Sequence, residues 1–405
     1  MMVAKHNLSL LSLGLLVLNL VIPPLGQAQT AYDIIPEEPT YRFGETMKFE
    51  AELIPAEAVD EVLLFLQASE NTDLQVHAMT LGGSGNLSVE IDLQEYPLQA
   101  FSEVGYWFQV TSADGEIYTS PRYSFTYLDN RYLWRMISGE PFTAHWYQGD
   151  LNFGKEVLNV SLEGLRKVQE ILDIFFPNSI DIYVYEDAQT LQTALDPGGQ
   201  AWVAGHANSQ LGVIYLSLPP GPDQRLEMER QIPHELMHIA LSYTDAHAYA
   251  NLPVWFNEGL ASLAELYPNP EDQALLESAY SAEVLLSLDS LCESFPNDPQ
   301  GISLAYAQSA SFTNYLYKKH GQPGFNRLMA AYASGMSCET GIEEALGMSL
   351  TDLENAWKKE NFTGLAVAKS IEEYLPWLFL FVVVLVGPII LAVLAFRNKP
   401  ERSEI

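Results

Sequence analysis

The chain has 405 residues, with 52 Asp and Glu against 20 Lys and Arg and a formal net charge of −32 at pH 7. A body this acidic repels a phosphate backbone, which argues against nucleic acid as a partner. At 48% hydrophobic and 11% aromatic residues it is no disordered acidic tail, its length allows two or three domains, and its two cysteines allow one bridge but no disulfide scaffold.

Residues 1–28 read as a secretory signal peptide. Lys5 precedes an apolar run from Leu8 to Ile22, then Pro23-Pro24 and the small-x-small triplet Gly26-Gln27-Ala28, with cleavage expected after Ala28. The other reading is an uncleaved anchor, against which stand the short run and the proline pair. Residues 29–130 read as an all-β module. Met47 to Leu53 and Leu87 to Leu93 alternate with period two, and Val62 to Leu66 is a short apolar run. Tyr106 to Thr111 and Glu116 to Thr119 flank the turn Ser112-Ala113-Asp114-Gly115, and Arg122 to Tyr127 closes the series. This spacing is similar in architecture to immunoglobulin and fibronectin type III sandwiches, without a Cys…Trp…Cys core.

Over residues 131–364 the pattern turns α+β and then mostly α. Strands are expected at Thr143 to Tyr147, Ile180 to Tyr185 and Gly212 to Leu218, with a helix from about Asn152 to Phe175. Helices follow at about 224–244, 254–266, 271–284, 303–319, 322–334 and 350–360. Residues 375–396 carry no charge and read as one transmembrane helix, with Glu372 and Glu373 before it and Arg397, Lys399 and Arg402 after it. By the positive-inside rule, 397–405 is then a cytoplasmic tail. The placement expected is single-pass in the cell membrane with the ectodomain outside.

Chemistry concentrates at His234-Glu235-Leu236-Met237-His238. On a helix, His234 and His238 share one face and can reach a single metal ion, while Glu235 is rotated toward a water as general base. Glu258, in Trp255-Phe256-Asn257-Glu258-Gly259-Leu260-Ala261, would complete a His₂Glu set with an open fourth position. Pro233 directly precedes His234, so the helix either kinks there or begins there.

HELMH followed by WFNEGLA resembles the gluzincin clan of zinc metallopeptidases, which includes thermolysin-like enzymes and the M1 aminopeptidases. The closest resemblance is to the bacterial peptidase MA-like family. It implies one zinc ion per chain on His234, His238 and Glu258, with Glu235 activating the water that hydrolyses a peptide or protein substrate. It also implies that the strand at 212–218 lies at the cleft edge, where it could pair with an extended peptide. Tyr306, in Tyr306-Ala307-Gln308-Ser309, is similar to the oxyanion-stabilising tyrosine of the aminopeptidases, although Gln308-Ser309 replaces their Lys-Gly pair. Thermolysin-like members place an Asp four residues after the ligand Glu, and Ser262 stands there. The amine-gripping loop of the exopeptidases is absent. His206 either faces the cleft or is an ordinary loop histidine, and Cys292 and Cys338 can pair where oxidation is permitted.

The sequence therefore reads as a membrane-anchored extracellular zinc peptidase. The competing readings are an inactive peptidase-fold binding protein at the cell surface and a hydrolase of non-peptide amides.

Overall fold

The computed structural model describes residues 32–68, 74–195, 205–208 and 212–397, without the side chains of 364–374, 378, 392 and 395–397. The expected signal peptide and residues 398–405 of the expected tail lie outside the described residues. The chain is β-rich in its N-terminal part and helical in its C-terminal part. It divides into two compact units, one comprising residues up to Tyr41 with Thr46–Asp92 and Glu103–Phe125, the other Arg42–Glu45, Leu93–Ser102 and Thr126 onward.

The first unit is built from β1 (Asp33–Pro36), β2 (Thr40–Arg42), β3 (Thr46–Ile54), β4 (Val59–Gln67), β5 (Gln75–Ala78), β6 (Thr80–Leu81), β7 (Asn86–Asp92), β8 (Glu103–Ser112), β9 (Ile117–Thr119) and β10 (Tyr123–Thr126). One sheet runs β1-β3-β7-β6 with β2 on β3, the other β10-β8-β4-β5 with β9 on β8. Period-two alternation buries Met47, Phe49, Ala51 and Leu53 of β3, and Val62, Leu64 and Leu66 of β4. The Phe49 and Tyr106 rings, 5.1 Å apart at their centroids, join the two inner faces.

The second unit opens with β11 (Arg135–Gly139), β12 (Phe142–Trp146), α1 (Leu151–Ile171), β13 (Ile180–Tyr185), α2 (Ala188–Leu195), β14 (Gly205–Asn208) and β15 (Val213–Ser217). Its sheet runs β11-β12-β13-β15-β14, with β12, β13 and β15 parallel and the two outer strands antiparallel to their neighbours. Asp150 starts α1 by accepting the N–H groups of Asn152 and Phe153. Phe142, Ala144, Ile180, Ile182, Ile214 and Leu216 form one apolar core with Val157, Val160 and Val168 of α1.

Among the described residues seven further helices follow: α3 (Gln224–Thr244), α4 (Ala246–Ala250), α5 (Val254–Ala264), α6 (Asp272–Ser281), α7 (Pro299–Ala333), α8 (Cys338–Leu346) and α9 (Leu350–Arg397). The two helices expected around 303–319 and 322–334 are the arms of α7, which breaks at Gly321 (φ 58°, ψ −169°). The short α2, α4 and α8 escape a periodicity reading because each spans fewer than three turns. Pro233 does not begin α3, which runs through it from Gln224 to Thr244. Burial of its ring against Gly164 of α1, where an added Cβ would stand 3.0 Å from Pro233 Cγ, overrides the local rule.

Cys292 and Cys338 are disulfide-bonded. The bridge holds the start of α5, whose first N–H groups would otherwise be orphaned. Val254 N–H donates to the Cys292 carbonyl at 2.9 Å, Trp255 N–H to the Leu291 carbonyl at 3.0 Å, and Trp255 Nε1–H to Cys338 Sγ at 3.3 Å.

The expected transmembrane helix over 375–396 is corrected: among the described residues no helix is long and apolar enough to cross a membrane. The first turns of α9 are amphipathic and pack into the helical core, with Trp357 against Phe312 and Phe362 stacked on Tyr280. Beyond them the helix contains Pro376 and Pro388. The single-pass placement in the cell membrane, with an outer ectodomain and a cytoplasmic tail, falls with it.

Candidate metal centre

Two antiparallel elements, α3 and α5, bring the three expected ligands together. His234 and His238 lie one turn apart on α3, and Glu258 stands on α5 facing them. His234 Nε2 is 3.5 Å and His238 Nε2 is 3.7 Å from Glu258 Oε2. One ligand atom from each of the three lies within 4.8 Å of the others. Among the described residues this is the one group of His, Cys, Asp and Glu able to hold a metal ion. Ligand atoms at 2.0–2.1 Å from a tetrahedral ion stand roughly 3.3 Å apart, so the set fits a zinc-sized cation with little movement.

The electrostatics point the same way. Burial works against charge on His234, but hydrogen bonds with Glu258 and Glu265 and the Glu235 charge outweigh it and push it up to about 10. Burial takes His238 down to about 4. Burial also works to raise Glu258, yet the neighbouring His238 and His234 hold it below its ordinary value. Glu235 is 8% exposed, and burial pushes it up to about 7.

Each histidine is oriented through its other nitrogen. His238 Nδ1 lies 3.3 Å from Asn257 Oδ1, and Tyr249 hydrogen-bonds Asn257 from behind. His234 Nδ1 lies 3.1 Å from Glu265 Oε1. A proton on each Nδ1 leaves each Nε2 free as a ligand. The carboxylate that Ser262 fails to provide four residues after Glu258 thus comes from Glu265, at the C-cap of α5. Sequence reasoning missed it, although a separation of seven puts Glu265 on the same helical face as Glu258. Tyr249 was missed too, and nothing in its local sequence marks it.

Tyr306, on α7, places its hydroxyl on the Glu258 carboxylate, and burial raises its pKa. Two residues on, Gln308 is fully buried and faces elsewhere. It clamps Leu286 through both backbone groups, accepting the N–H at 2.7 Å and donating to the carbonyl at 2.9 Å. This employment accounts for Gln where the aminopeptidases have Lys.

The cleft-edge strand is not 212–218. β15 is paired on both sides, by β13 and by β14, so its backbone groups are taken. The edge is β14, where Gly205 meets the site: a Cβ there would stand 2.6 Å from Glu235 Oε1. His206 alternates to the other face and lies over Tyr215, with ring centroids 6.2 Å apart.

Residues 161–362 match the Peptidase MA superfamily family model. No curated protein matches the chain. An aminopeptidase N family protein from Idiomarina loihiensis is similar at 10% identity and a TM-score of 0.36, over 80% of this chain and 75% of that one. A carbohydrate-binding module of family 56, a β-1,3-glucan binding domain, is similar at 12% identity and a TM-score of 0.17, over 23% of this chain and 98% of that one. The sensor domain of the anti-sigma factor RsgI4 from Pseudobacteroides cellulosolvens gives 11%, 0.19, 24% and 94% in the same order. Likeness at these scores carries no argument about fold or activity.

Proposed function

We propose that this protein is a zinc-dependent peptidase of the gluzincin type, most similar to the bacterial peptidase MA-like family. One ion per chain would be held by His234, His238 and Glu258. The observation that carries the reading is the convergence of these three side chains within 4.8 Å beside a buried Glu235, inside the Peptidase MA superfamily match. Zinc bound there supplies Lewis-acid polarisation and a lowered pKa for water.

The chain's own residues supply the rest. Glu235 takes the proton of the attacking water and returns it to the leaving amine, a role its near-neutral pKa suits. Tyr306, whose hydroxyl meets the Glu258 carboxylate, would donate to the oxygen that gains charge. Asn257 and Glu265 fix the two imidazoles.

Purified protein should contain about one zinc per chain by elemental analysis and should cleave members of a diverse peptide pool read by mass spectrometry. A chelator should silence it, and added zinc should restore it. Zinc at one per chain with no peptide cleaved would favour the inactive binding protein. Cleavage confined to non-peptide amides would favour the third reading.

A further inference from the structure

α3 contains an interior proline directly before its first ligand, and its backbone bookkeeping leaves one carbonyl over. In a regular helix the N–H of residue 233 would donate to the carbonyl of Glu229. Proline has no N–H, and its ring crowds that carbonyl and tilts it outward. The Glu229 carbonyl does not go unused: it accepts the N–H of Leu266 at 2.9 Å. Leu266 follows Glu265, whose side chain is 9% exposed and whose Oε1 stands 3.1 Å from His234 Nδ1. A tie at residue 266 therefore fixes the carboxylate at residue 265.

We infer that Pro233 is a positioning residue for the metal centre: by freeing the Glu229 carbonyl to hold Leu266, it seats Glu265 against His234. The inference rests on the metal reading of the cluster. It adds that the proline and the carboxylate, 32 positions apart in sequence, act as one device. The geometry also accounts for the missing carboxylate at Ser262. Glu265 N–H still donates to the Ser262 carbonyl at 3.2 Å, whereas Leu266 lies beyond α5 and its N–H is anchored on the carbonyl of Glu229 in α3. A purely structural role for Pro233, filling space against Gly164, requires none of this.

The test uses the full chain and zinc alone as the probe. Pro233→Ala restores an N–H that competes for the Glu229 carbonyl. The Leu266 amide should then exchange with deuterium about tenfold faster or more, and the zinc dissociation constant should rise about tenfold, the scale seen when partners behind a ligand are lost. Glu265→Gln leaves the backbone tie intact. It should weaken zinc by a similar factor while Leu266 stays protected, and it remains informative if the proline variant fails to fold. In the double variant, Pro233→Ala should add less than about twofold to the effect of Glu265→Gln, because the two act through one contact. Unchanged zinc affinity in Glu265→Gln, or fully additive losses in the double variant, would overturn the inference. A wild-type chain that binds no zinc would instead overturn the metal reading itself.

Discussion

Glu235→Gln is expected to abolish peptide hydrolysis while zinc remains at about one per chain. The substitution keeps the shape of the side chain, which matters because the site is closed on two sides. Glu235 is buried on α3, and Gly205 of the edge strand leaves it no spare volume. Glutamine fits that space but cannot take up a proton, so the step lost is proton transfer from water. General-base assistance of this kind is worth 10² to 10⁴ in rate, and a loss of roughly 10³-fold or more is expected. Neither imidazole nor Glu258 changes, so the metal content separates lost chemistry from a lost site. Turnover within tenfold of the parent would sink Glu235 as the base.

Gly259→Ala is expected to destabilise the protein by about 3 kcal/mol and to weaken zinc binding at the same time, the upper end of the usual cost of overpacking. α5 packs tightly against α7 at this glycine. An added Cβ would overlap Thr313 Oγ1 and stand 2.7 Å from the Ser309 backbone carbonyl. A side chain can turn away, but a carbonyl inside a helix cannot, so α5 must lift. Glu258 is the preceding residue, and a lift moves its carboxylate relative to both histidines. Adding Thr313→Ala should recover only part of the loss, since the Ser309 contact remains. Denaturant unfolding and a zinc titration on the same samples test both halves. A stability loss below about 1 kcal/mol would show that the two helices have slack the packing does not suggest.

Much of the centre was legible because its spacing is local. Two histidines four apart and a glutamate between them follow from helical geometry alone, and α3 spans the range expected for it. Glu258 was legible through its flanking residues and not through distance, because the return of the chain through α4 to α5 is a tertiary event. What failed to show depends on contacts that sequence does not order. Glu265 lies 31 positions from the histidine it faces, and its tie runs through a carbonyl freed by a proline that local rules would read as a helix end. The edge of the sheet was assigned to the more apolar strand, β15. The true edge, β14, is four residues long, contains a glycine and alternates too briefly to register. The membrane expectation came from uncharged composition over 375–396, and the finding for the described helices does not support it.

The bridge between Cys292 and Cys338 also bears on what happens when the chain is cut. It closes a covalent ring around α7, the helix that carries Tyr306 and the seat of α5, and around the exposed residues Glu293, Ser294, Asn297 and Asp298 that lead into it. A nick at that exposed approach releases no fragment. Both new ends stay attached through sulfur, and Cys292 and Leu291 still hold the first N–H groups of α5. After such a break the chain thus keeps the covalent frame around its candidate centre until a reductant opens the ring.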